Sequence, residues 1–160
     1  MSHMSTLEHI FLHAAEEPKA VADRIASAIG LRASISPEGG IYLSRPAQCG
    51  PGGEVGGEVA RNYLAYPSNV PEEQSLLDAY EILWDFGYTG RDRDVQLREA
   101  RRVFEQLSAA RLWPAVLVAG LDTLIAAWDP DLGSTWFPSG TSPDAVDRDA
   151  WQEYLARLRH

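Results

Sequence analysis

Apolar positions along this chain recur at two periods, one of strands and one of helices, and the two alternate. Residues 8–14 carry a short apolar run at Ile10, Phe11 and Leu12, the pattern of a buried strand. Pro18 suits the first turn of a helix, where its missing N–H costs nothing. Val21, Ala22, Ile25, Ala28 and Ile29 follow at helical spacing, and Gly30 is a natural stop. Residues 32–36 and 40–44 alternate apolar and polar around Pro37-Glu38-Gly39-Gly40, a hairpin signal. Residues 59–65 add a further strand. Residues 45–57 (RPAQCGPGGEVGG) and 67–74 read as loop, and residues 75–79 fit either a helical turn or the start of a strand.

The second half of the chain repeats the plan more clearly. Ile82, Trp84, Phe86 and Tyr88 share one face of an extended segment, with Leu83 and Asp85 opposite. Asp92 or Asp94 can cap the next helix. Its buried stripe is Ala100, Val103, Phe104 and Leu107, while Arg98, Arg101, Arg102 and Glu105 point elsewhere. Residues 115–118 and 123–128 pair across Gly120-Leu121-Asp122. A loop over 129–141 holds Trp136 and Phe137, and Ser142-Pro143 reads as the start of a last helix running to about 158, carrying Val146, Trp151, Tyr154 and Leu155.

Residues 8–44 and 80–128 therefore each read strand–helix–strand–strand. The predicted fold class is α+β: two β-α-β-β units, 8–65 and 76–130, build a mainly antiparallel sheet with both main helices on one face, plus a C-terminal helix. One domain is expected over residues 5–160, with residues 1–4 (MSHM) a remnant ahead of a natural start at Met4. The arrangement resembles the duplicated modules of gyrase-inhibitor-like ligand-binding domains. One reading of function follows that line: a small-ligand binder whose Trp84, Phe86 and Trp128 line a cleft between the two units.

Composition narrows the chemistry. The 160 residues are enough for one domain with a sizeable core, and 45% hydrophobic with 23% charged is ordinary globular usage. The formal charge is −9 and Lys19 is the only lysine. Such a surface repels phosphate backbones, so nucleic acid is not an expected partner. It either steers a basic partner inward or only keeps the protein soluble. Cys49 is the only cysteine, so neither an internal disulfide nor a thiolate metal cluster is available. No apolar run reaches the roughly 18 residues of a membrane span and no signal peptide is visible, so the expected location is cytoplasmic.

Known catalytic patterns are missing. The glycine-rich loop lacks the Gly-Lys-Ser/Thr of a phosphate loop, and Val55 stands where a dinucleotide pattern needs glycine after Gly50 and Gly52. His9 and His13, four apart on a strand, lie about 13 Å from each other, so they read as solvated or hydrogen-bonded residues and no metal is expected. Cys49 has no nearby base in sequence, although a folded-back His13 could reach it. Glu72, Glu73, Asp78, Glu81 and Asp85 offer carboxylates, as any acidic protein does. The Arg91, Arg93, Arg98, Arg101 and Arg102 cluster reads as a solvated helix face, with Glu99 and Glu105 sharing the load. Neither enzyme activity nor a cofactor is expected.

Trp128, Asp129, Asp131, Trp136 and Phe137 set aromatics among carboxylates, which suits a protein-binding surface; alternatively the two tryptophans pack under the loop against the sheet. This small, acidic, cysteine-poor and catalytically empty make-up is similar to that of immunity proteins of bacterial toxin systems, which bind a toxin domain and block its active site. That resemblance implies a protein partner with a basic surface. The interface residues expected here are Asp85, Tyr88, Asp129, Asp131, Trp136 and Phe137.

Overall fold

The computed structural model describes residues 5–159, so the expectation for residues 1–4 lies outside it. In chain order come β1 (Ser5–Leu12), α1 (Pro18–Ile29), β2 (Arg32–Ile35), β3 (Ile41–Pro46), β4 (Glu54–Arg61), β5 (Ile82–Tyr88), α2 (Arg93–Ala110), β6 (Ala115–Ala119), β7 (Thr123–Asp129), β8 (Gly133–Trp136) and α3 (Arg148–Leu158). The eight strands form one sheet in the order β2-β3-β4-β5-β1-β6-β7-β8, and every neighbouring pair is antiparallel. This is the α+β fold that the two periods predict; the further strand expected over 59–65 is β4, begun earlier at Glu54, and β8 is an added strand. The first strands of the two units, β1 and β5, pair at the centre, and β1 also pairs with β6 of the second unit. The units interlock rather than sit side by side.

Local chemistry explains the helix ends. Pro18 occupies the first turn of α1, and Gly30 ends it in the left-handed region at φ 76°, its N–H donating to Ala26 O. Asp92 caps α2 by accepting from the N–H groups of Asp94 and Val95. No helix among the described residues is long and apolar enough to cross a membrane.

Both faces of the sheet bury apolar side chains, which is why β1 and β6 read as continuous apolar runs rather than alternating ones. On the first face, Ile10, Leu12, Trp84, Phe86, Leu117 and Trp128 meet Val21 and Ile25 of α1 and Val103 and Phe104 of α2. On the second face, Phe11, Leu83, Val116, Val118 and Leu124 lie under Trp151, Tyr154 and Leu155 of α3 and under Leu76 and Tyr80. The C-terminal helix thus packs opposite the other two.

Three segments differ from expectation. Strand β4 starts at Glu54, inside the stretch read as loop, and leaves the sheet after Arg61. Its Gly56 and Gly57 hid it, yet the sheet requires them: a Cβ on Gly56 would sit 1.8 Å from the Leu43 carbonyl oxygen, and one on Gly57 2.0 Å from that of Asp85. The loop expected over 129–141 contains the edge strand β8. Ser142-Pro143 does not start a helix. Pro143 O instead accepts from Leu76 N–H, a 3-10 turn spans Ala145–Asp147, α3 begins only at Arg148, and Val146 is solvent-exposed. Residues 75–79 resolve as a 3-10 helix, Leu76–Ala79, capped by Ser75.

Candidate protein-docking face

The cover on the second face is partial. α3 and the Leu76–Ala79 turn seal the part over β6, β7 and the adjoining apolar positions of β1 and β5, but not the part over β3 and β4. Pairing register places one side chain from each of four strands in a row, Tyr42 opposite Glu58, Glu58 opposite Asp85, Asp85 opposite His9, running from the open part at Tyr42 and Glu58 to the largely buried Asp85 and His9. The row continues into Val118, where the apolar cover begins. Directly opposed side chains on neighbouring strands stand about 5 Å apart at Cβ, so Glu58 and Asp85 are like charges in mutual repulsion.

Asp85 is held on both oxygens. His9 Nδ1 lies 2.7 Å from Oδ1, and the Tyr63 hydroxyl donates to Oδ2 at 3.0 Å. A carboxylate only accepts, so His9 donates from Nδ1. Burial, and then the bond to Asp85, pushes the Tyr63 phenol above its ordinary pKa. Glu58, by contrast, has no hydrogen-bond or ion-pair partner among the described residues. His13 is held separately, its Nδ1 3.0 Å from Glu81 Oε2. Both histidines are thus hydrogen-bonded, each to its own carboxylate, and among the described residues no three ligand-type side chains converge on a metal position.

Around this row the surface carries tyrosines. Tyr42, Tyr63 and Tyr66 are 40%, 66% and 76% exposed. The loop that presents the last two is firmly tied: the Asn62 side-chain amide donates to Leu77 O and Tyr80 O, its Oδ1 accepts from Leu64 N–H, and Asp78 accepts from Tyr66 N–H. Rings held outward on an anchored loop beside an unpaired carboxylate make a surface suited to protein contact.

Of the six interface residues expected from sequence, only Asp85 lies in this row. Tyr88 is buried on the helix-covered face. Asp129 is buried too, capping the β7–β8 turn by accepting from the N–H groups of Asp131 and Leu132. Asp131 is exposed and ion-paired with Arg157. Trp136, the last residue of β8, and Phe137, just beyond it, point to opposite sides of the sheet. Trp136 packs edge-on against Phe104 under the Arg101 guanidinium, and Phe137 meets Tyr154. The six therefore do not form one surface. Trp84, Phe86 and Trp128 line no cleft: they are core residues, because the interlocked strands leave no gap between the units and α1 and α2 pack side by side over them.

The glycine loop and the arginine cluster have structural employment. Glu99 is buried, not sharing a surface load, and accepts backbone N–H groups from Gln48 and Cys49, which ties the loop to α2. Arg93 pairs with the buried carboxylate of Glu8, and Arg102 donates to Gln48. Burial and the neighbouring Glu99 push the Cys49 thiol up, away from the reactive thiolate. Cys49 lies against α2 on the first face and His13 faces Glu81 on the second, so the thiol and the imidazole do not meet.

Sequence reasoning passed over Tyr42, Glu58, Tyr63 and Tyr66. The alternation of Tyr42 against Leu43 was a usable signal, whereas Glu58 sat in a strand masked by its glycines. Comparison with known proteins yields no match: no family model, no curated protein and no solved structure is similar to the chain.

Proposed function

We propose that the protein is a non-catalytic, cytoplasmic binding protein, an immunity-type inhibitor that docks the open part of its sheet on a basic toxin domain and blocks the active site. The observation that carries this reading is the exposed Tyr42, Tyr63 and Tyr66 set around Glu58 and Asp85, with Glu58 lacking an internal partner. Tyrosine rings bury large area at low conformational cost, and the unpaired Glu58 carboxylate selects a cationic surface. The net charge of −9 speeds the encounter with such a partner. No cofactor takes part.

Growth rescue tests it. The product of the gene adjacent to this one is expressed alone and with the protein. Toxicity relieved by the wild-type chain, but not by one carrying Tyr63→Ala and Glu58→Lys, supports the reading. A harmless neighbour, or rescue indifferent to both changes, refutes it.

A further inference from the structure

A cavity of about 560 Å³ opens between the 67–79 segment and the end of α3. Most polar groups on its wall already have partners. The Ser68 hydroxyl donates to Glu73, the Gln74 side chain donates to Ser68 O and accepts from Arg148, and the Ser75 hydroxyl donates to Pro143 O. Two charges stand apart from this network. Asp78, on the 3-10 wall, uses Oδ1 to accept from Tyr66 N–H and keeps Oδ2 free. Arg159, on the α3 wall, has no side-chain partner among the described residues, and no ion pair joins it to Asp78. Ala79 and Leu155 add apolar surface to the wall.

We infer that this cavity binds a compact zwitterion of about dipeptide size, its ammonium on Asp78 and its carboxylate on Arg159. Opposite charges on two walls, too far apart to pair directly, are both satisfied by a ligand that carries both charges. A ligand with one charge engages only one wall and forgoes the charge-assisted contact on the other. The volume falls within the range of small-molecule sites, about 300–1,000 Å³, and the apolar wall accepts short aliphatic side chains. The cavity shares Asp78 with the anchoring of the Tyr66 loop, through Oδ1 only, and is otherwise separate from the docking face.

Calorimetric titration of the full chain with L-alanyl-L-alanine tests it, alongside the N-acetyl dipeptide, which lacks the ammonium, and the dipeptide amide, which lacks the carboxylate. The expected result is saturable binding of the zwitterion and at least about tenfold weaker binding of each blocked form. Asp78→Asn keeps the oxygen that accepts from Tyr66, so the loop stays folded. It is expected to weaken the zwitterion and the amide while leaving the N-acetyl form unchanged, and Arg159→Gln to do the converse. No saturation by about 10 mM, equal binding of the three ligands, or variants that affect all three alike overturns the inference.

Discussion

Trp151→Ala removes the side chain that fastens α3 to the sheet. Trp151 is wholly buried in the second-face core, and its indole N–H donates to Ser142 O at 3.1 Å. A tryptophan of this kind buries about 150–250 Å², worth roughly 4–6 kcal/mol as an upper estimate from transfer energies. Large-to-small changes at buried aromatics cost about 3–5 kcal/mol when measured. Ser142 is only half-buried, so water replaces the lost donor and adds little. The expected loss is therefore about 4 kcal/mol, read by urea unfolding as a lower midpoint at unchanged slope. In a heating scan the same loss lowers Tm by about 8–16 °C. Val146→Ala, at a position 83% exposed, is the control and costs under about 0.5 kcal/mol. A loss below about 1 kcal/mol for Trp151→Ala would mean that α3 is not packed on the second face, and the boundary between covered and open sheet would go with it.

Gly57→Ala puts a methyl group against the Asp85 carbonyl oxygen at a φ of 114°, and because that oxygen is backbone, two central strands must part. The expected cost exceeds about 2 kcal/mol, measured by the same unfolding assay, and a neutral result contradicts the register of β4 on β5. Glu99→Gln removes the negative charge that, after burial, holds the Cys49 thiol up. The apparent thiol pKa falls, so alkylation by iodoacetamide at pH 8 speeds up; an unchanged pH–rate profile refutes the contact. Tyr63, Tyr80 and Tyr154 all have phenols raised chiefly by burial. Raised acids of this kind contribute stability that is full below about pH 10 and is lost as pH climbs through the folded-state values. The urea midpoint is expected to fall above about pH 10, and Tyr80→Phe is expected to reduce that slope. An unaltered slope in the variant assigns the alkaline loss elsewhere.

The helices and the central strands were legible because their signals are local. Pro18 and Gly30 bracket α1, Asp92 caps α2, and the odd–even alternation of Ile82 to Tyr88 separates the faces of β5 without reference to anything else. The first half of β4 was not legible, since two glycines demanded by close strand packing look the same as loop glycines, and the strand expected over 59–65 catches only its end. The docking face depends on what covers the second side of the sheet, and amphipathicity says that a helix has a buried stripe without saying which layer receives it. Asp85 stands out in sequence because it sits opposite the aromatic face of one strand; Glu58 and His9 become its neighbours only through the order β4-β5-β1. Trp136 and Phe137, adjacent in sequence, fall on opposite sides of the sheet, one against Phe104 and the other against Tyr154.

The proposed docking on the open sheet is tested most directly by the rate at which the product of the adjacent gene, the toxin domain of the proposal, associates with wild type, Glu58→Lys and Asp131→Lys across a salt series. The account predicts that Glu58→Lys slows association by about tenfold at low ionic strength, a difference that shrinks as salt rises, while Asp131→Lys stays close to wild type. Glu58→Lys at the wild-type rate, or Asp131→Lys as the slower variant, would contradict it.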